Sequence, residues 1–200
     1  MNAIQRMDAV RSLALAQGGC LTTADLMNAL AEERQTSLQS LLRPLQEAGK
    51  LVRAKRGVYI WERTDPRAVA ARIRPDATLS FGSVLSAHLL VGTVPKHHFQ
   101  FTATCRDQSI QCPDWKVSFH HLAPHLRFGW AIDSQGFRTA DQEKAALDCL
   151  YYHQKGMRFS FDIETDIDRA GLSREKFLDY VLRYPNPRFQ SRCRRWLDAV

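Results

Sequence analysis

Between Ile4 and Ala16, Ile4, Met7, Val10, Arg11, Leu13 and Ala14 recur at helical intervals and predict a helix with one apolar stripe, ended by Gly18-Gly19. Thr22 with Asp25 three residues later is a capping-box pattern. A second helix is therefore expected from about Thr23, with Leu26, Ala29 and Leu30 facing inward. Thr36 with Gln39 repeats the pattern and predicts a third helix burying Leu38, Leu41, Leu42 and Leu45. Pro44 removes a hydrogen bond to Ser40, a loss of about 3 kcal/mol in a helix interior. A kink or early break is expected there, which confines the outward face to the first two turns. Leu51 to Arg53 and Val58 to Trp61 read as short strands around Ala54-Lys55-Arg56-Gly57, a turn in which Gly57 takes a positive φ.

Thr64-Asp65-Pro66 punctuates this pattern and predicts a domain boundary. Beyond it the periodicity alternates. Helices are expected over 68–73, 83–90, 139–154 and 188–200, and from Ser173 as cap through Val181. Strands are expected over 77–80, 99–104, 115–119 and 127–132. The expected fold class is α+β. Residues 1–63 form a winged helix-turn-helix domain and residues 64–200 a mixed α+β domain.

Two hundred residues suffice for one ordinary domain or two small ones. The formal charge of +7 favours polyanionic partners. Its distribution says more. Residues 1–63 hold nine Lys and Arg against six Asp and Glu, and Lys50, Arg53, Lys55, Arg56 and Arg63 crowd the hairpin. Residues 64–184 are almost neutral, fifteen against fourteen, and the last sixteen residues add four Arg against one Asp. No apolar run reaches membrane-span length and no signal-peptide pattern opens the chain. Cys20, Cys105, Cys112, Cys149 and Cys193 are scattered, with no Cys-x-x-Cys pair, and read as reduced thiols of a cytoplasmic protein.

The outer face of the third helix offers Ser37, Gln39, Ser40 and Arg43, short polar and cationic groups suited to base edges and phosphates. Arg53, Lys55 and Arg56 on the wing are placed for phosphates or the minor groove, which supplies affinity more than sequence choice. Tyr59 and Trp61 read as core residues behind the wing.

Other candidate chemistry is weaker. All seven histidines fall between His88 and His153, but Pro124 separates His121 from His125 and no His-Glu-x-x-His occurs. No metal site is expected. The carboxylates from Asp162 to Asp168 lack the mid-loop glycine of a cation loop and read as a solvated face. No phosphate loop, dinucleotide fingerprint or Gly-x-Ser-x-Gly elbow is present, so neither a cofactor nor an enzyme is expected. Ser80 and Ser83 read as caps of the following helix, and Arg192, Arg194 and Arg195 as a solvated helix face. The alternative reading is a C-terminal nucleotide- or small-ligand-binding domain, enzymatic or sensory, with the winged helix as an accessory. It would use polar groups near Ser80, Ser83, His88 and Asp141.

Three segments together resemble the AbiEi-type antitoxins of type IV toxin–antitoxin systems. These are the N-terminal winged helix ending in Arg56-Gly57-Val58-Tyr59, the run from Ser80-Phe81-Gly82-Ser83 to Leu90, and the helix Thr139-Ala140-Asp141-Gln142-Glu143-Lys144-Ala145-Ala146-Leu147-Asp148-Cys149-Leu150. The middle landmark departs from the family pattern, reading Ser83-Val84-Leu85. The resemblance implies a winged helix that binds double-stranded operator repeats and represses its own operon. It also implies a second domain that supports antitoxicity against a nucleotidyltransferase-like toxin, neutralised without a stable complex.

Overall fold

The computed structural model describes residues 3–30, 35–92, 97–112 and 114–199. By its contacts the chain divides into two compact units, one holding Met1–Pro75 with Ile110–Asp114, the other Asp76–Ser109 with Trp115–Val200. Helix and strand are mixed along the chain.

The first unit runs α1 (Ala3–Ala16), β1 (Cys20–Thr22), α2 (Thr23–Leu30), α3 (Gln35–Glu47), β2 (Leu51–Lys55), β3 (Val58–Trp61) and α4 (Pro66–Ile73). Its three strands form an antiparallel sheet in the order β1-β3-β2. Val10, Ala14, Leu21, Leu26, Leu30, Leu38, Leu42, Leu45, Leu51 and Tyr59 make one core. The apolar stripe expected on α1 is only half used. Val10 and Ala14 are buried, whereas Ile4 and Met7 are 67% and 45% exposed. The reason is that α1 meets α2 and β1 through its C-terminal half, while its first turns pass beyond them.

β1 is a strand that periodicity did not predict, since three residues are too few to alternate. It exists because β3 pairs with it, Cys20 opposite Ile60 and Thr22 opposite Val58. The chain enters it through Gly18 and Gly19, both at positive φ. Gly19 is obligatory on a second count: a Cβ there would lie 1.9 Å from Thr64 Oγ1.

α3 corrects two expectations. It is already helical at Gln35, so Thr36 lies inside it and is not its cap. It also runs through Pro44 to Glu47. Only the bond to the Ser40 carbonyl is forfeited, and Leu42 and Leu45 on either side of Pro44 are held in the core. Beyond it Ala48 N–H bonds the Pro44 carbonyl at 3.0 Å, and Lys50 N–H returns to the Leu45 carbonyl at 2.9 Å across Gly49 at positive φ. In the hairpin, Lys55 belongs to β2 opposite Val58, so Arg56-Gly57 alone makes the turn, with a register irregularity between Arg53 and Lys55.

α4 falls with the first unit, although the expected boundary put it in the second. Asp65 caps it by accepting from Arg67 N–H, and Val69 and Ala70 are buried.

The second unit contains β4 (Thr78–Leu79), α5 (Phe81–Ala87), β5 (His98–Ala103), the first two residues of β6 (Gln108–Gln111), β7 (Lys116–His121), β8 (Trp130–Ile132), β9 (Arg138–Ala140), α6 (Gln142–Gln154), α7 (Arg174–Leu182) and α8 (Pro187–Asp198), while Ile110 and Gln111 of β6 fall with the first unit. The sheet order is β6-β7-β5-β4-β9-β8. β4 joins its halves, antiparallel to β5 (Leu79 opposite Phe101) and parallel to β9 (Leu79 opposite Thr139). The expected helix over 139–154 thus begins later. Thr139 and Ala140 are strand, and Asp141 caps α6 by accepting from Lys144 N–H at 2.8 Å.

α6 is buried nearly all round, including Glu143, Lys144 and Asp148. That explains its lack of a polar face. α5 begins at Phe81, not Ser83, and Ser80 sits at its cap position without making the capping bond. Its hydroxyl is turned instead to Asp148.

Candidate nucleic-acid interface

The first unit gathers its polar surface where α2, α3 and the β2–β3 hairpin meet. The capping box of α2 forms as expected: Thr22 N–H bonds Asp25 Oδ2 at 2.8 Å and Asp25 N–H bonds Thr22 Oγ1 at 3.2 Å. The Arg72 guanidinium joins Asp25 at 2.9 Å. Burial works against the Asp25 carboxylate, but hydrogen bonding by Thr22 and Arg72 outweighs it and holds its pKa below the ordinary value. One further bond, Thr23 N–H to the Gly57 carbonyl at 2.9 Å, ties the start of α2 to the hairpin tip.

Between these elements lies a polar groove of about 420 Å³, lined by Thr22, Thr23, Ala24, Leu38, Gln39, Arg53, Arg56, Gly57 and Tyr59. Buried Tyr59 and Leu38 support it from behind. Gln39, Arg53 and Arg56 are exposed along it, and Lys55 is exposed on the same hairpin outside it. Among the described residues, none of Arg53, Lys55 and Arg56 has a carboxylate at ion-pair distance. Their charge is left to solvent. Lys50, by contrast, is spent on Glu62 at 2.7 Å at the hairpin base.

The seven residues predicted for this surface do not form one face. Gln39, Arg53 and Arg56 come together. Ser40 is on another side of α3, where with Pro44, Leu41, Ile4 and Met7 it lines an apolar groove of about 500 Å³. Arg43 is exposed and paired with Glu47 at 2.7 Å. The side chain of Ser37 lies outside the described residues. Thr23 and Gly57 also line the polar groove and were missed. Their signal was present, because Thr23 opens the capped helix and Gly57 is the glycine of the turn.

The second unit distributes its candidate groups differently. Ser80 is fully buried on Asp148, and Ser83 Oγ has no hydrogen-bond partner among the described residues. His88 is exposed at the end of α5. Asp141 lies in an open cleft of about 580 Å³ with Trp130, Asp133, Thr139, Lys176, Tyr180 and Arg183. There Lys176 bridges Asp141 at 3.1 Å and Glu143 at 3.0 Å, and Tyr180 donates to Asp141 at 2.8 Å. The cleft's lysine and aspartate therefore satisfy one another.

His98 bonds Ser118 at 2.8 Å, and His120 packs on Phe81 and Tyr152 at 5.4 and 5.6 Å between ring centres. Among the described residues, no group of three or more His, Cys, Asp or Glu side chains is placed to hold a metal. All five cysteines are free, and burial pushes the Cys20 thiol up to about 11.

No helix among the described residues is long and apolar enough to cross a membrane. No curated protein sequence matches the chain. Among solved structures, it is similar to the crystal structure of the RV2827C protein from Mycobacterium tuberculosis. The TM-score is 0.62 and the identity 16%, over 98% of this chain and 77% of that one. At that identity the likeness is one of fold. Residues 8–60, which contain α2, α3 and most of the hairpin, match the family described as "Transcriptional regulator, AbiEi antitoxin". The similarity to that family of transcriptional regulators is confined to residues 8–60.

Proposed function

We propose that residues 1–63 act as a winged helix-turn-helix that binds double-stranded operator DNA upstream of its own operon and represses it. The chain is then the antitoxin of a pair whose toxin resembles a nucleotidyltransferase. The observation that carries this reading is the groove where Gln39 meets Arg53 and Arg56 at the start of α2, two cations with no carboxylate at ion-pair distance among the described residues. Gln39 carries both amide donor and acceptor, which suits the edge of adenine. Arg53, Arg56 and Lys55 neutralise phosphates, and Arg43 exchanges Glu47 for a flanking phosphate. The second unit, a mixed α+β domain, supports antitoxicity without catalysis, cofactor or stable toxin complex, and the protein works in the cytoplasm.

The test is a binding titration of the full chain on its own upstream region at several salt concentrations. The wild type should bind that DNA well above a shuffled sequence. Lys55→Ala with Arg56→Ala should weaken both DNAs and reduce the slope of log affinity against log salt by about one per lost phosphate contact. Equal affinity for both DNAs, or equal salt slopes for wild type and variant, overturns it.

A further inference from the structure

β8 is the outer strand of the larger sheet, and among the described residues nothing pairs with its far edge. Two bonds set its phase: Asp141 N–H to the Gly129 carbonyl and Asp133 N–H to the Phe137 carbonyl, both 2.9 Å. With Trp130 opposite Ala140, Ala131 opposite Thr139 and Ile132 opposite Arg138, Ala131 bonds inward to β9. The N–H and C=O of Trp130 and Ile132 therefore point out of the sheet. All three residues are exposed, Trp130 by 39% and Ile132 by 57%. Apolar edges are ordinarily blunted by proline, lysine or a bulge, and Trp130–Ile132 contains none of these.

Charges of both signs stand near β8, since the open cleft that Trp130 lines also holds Asp133, Asp141, Lys176 and Arg183. Arg138, on the strand beside it, lies 4.7 Å from the Trp130 ring, and Arg183 lies 4.6 Å from the Phe128 ring. Arg183 shares the open cleft with Trp130. Among the described residues neither guanidinium has a carboxylate at ion-pair distance.

We propose that the β8 edge receives an extended acidic segment of a partner protein, added as a further strand beside Trp130–Ile132 with its carboxylates on Arg138 and Arg183. Unpaired outward amides and carbonyls are what a peptide backbone recognises. Charge selects the occupant. A symmetric pairing of two β8 strands would gather like-charged arginines on one interface in a chain already at +7, whereas an acidic strand neutralises them. The proposal is independent of the DNA-binding reading.

The experiment measures fluorescence anisotropy of a labelled short peptide alternating valine with glutamate, titrated with the full chain. Saturable binding is expected. It should weaken by about tenfold or more when alternate peptide amides are N-methylated, when lysine replaces glutamate, and in Ile132→Pro or the double variant Arg138→Glu, Arg183→Glu. Ile132→Pro removes one outward donor and leaves the inward bonds of Ala131. Should it lower stability, the N-methylated peptide puts the same question to the unaltered protein. Absence of binding, indifference to N-methylation, or indifference to charge reversal overturns the proposal. So does a dimer in sedimentation that Ile132→Pro dissolves, which would assign the edge to a second copy.

Discussion

Ser80 donates its hydroxyl to Asp148 Oδ2 at 2.7 Å, joining the start of α5 to the middle of α6 with both side chains buried. The other carboxylate oxygen takes the Lys144 ammonium, which also donates to the Tyr184 hydroxyl at 3.2 Å and lies 5.1 Å from the Phe128 ring. These four polar side chains satisfy one another inside a hydrophobic layer. Removing one partner should therefore hurt more than removing the pair. Asp148→Asn strands a buried ammonium and should cost about 3–5 kcal/mol, against about 1–2 kcal/mol for Ser80→Ala. Lys144→Met with Asp148→Leu should cost less than Asp148→Asn alone. Urea unfolding measures all three, and a double variant as unstable as Asp148→Asn would contradict this account.

On α3 the structure separates residues that sequence alone put together. Gln39 shares the groove with Arg53 and Arg56, whereas Ser40 lines the apolar groove beside Pro44. Gln39→Ala should lower discrimination between operator and altered DNA by about 1–3 kcal/mol, and Ser40→Ala should leave it unchanged. Competition binding against single-base operator variants reads this directly. The opposite ranking would move the reading face to the Ser40 side.

Gly19 approaches Thr64 so closely that a methyl group has no room, and its φ of +81 is strained for any other residue. Gly19→Ala should destabilise the first unit by about 1–3 kcal/mol. Adding Thr64→Gly removes the obstructing side chain and should return part of that loss, leaving the conformational strain. Thermal unfolding of the single and double variants checks it. No recovery in the double variant means that packing against Thr64 is not the cause.

Burial lowers the pKa of both His98 and His120 below the ordinary 6.5, with Lys116 acting in the same direction on each and Asp107 partly opposing it at His120. A base whose folded pKa is depressed is favoured in its neutral form. Its contribution to stability is full above about 6.5 and is lost as pH falls through the folded value. Unfolding free energy should therefore decline from pH 6.5 towards pH 5. His98→Gln with His120→Gln should flatten that decline. A slope unchanged in the double variant would assign it to other groups.

If the two units divide their labour, Arg53, Lys55 and Arg56 changed together to Ala should abolish operator repression yet leave cells protected from the toxin. Toxin and antitoxin are to be expressed from unrelated promoters, so that lost repression cannot raise the toxin dose. A folded, abundant triple variant that no longer protects would show that rescue itself requires nucleic acid.

What the sequence determined by itself was local. Thr22 with Asp25, Ser173 before α7, the inward leucines of α3 and the glycine of the Arg56-Gly57 turn act over two to four residues. Their hydrogen bonds close within the segment that carries them, and they were legible for that reason. So was a third of the polar groove's lining, because Gln39, Arg53 and Arg56 stand on those same elements.

The tertiary structure decided what depends on distant partners. β1 and β9 are too short to show a period and exist because β3 and β4 pair with them. Pro44 is tolerated because Leu42 and Leu45 hold the helix around it. Ser80 forgoes the local capping bond because Asp148, sixty-eight residues away, offers a buried carboxylate. A contact of that span leaves no periodic trace in the chain. Only packing decides which of the competing bonds is made.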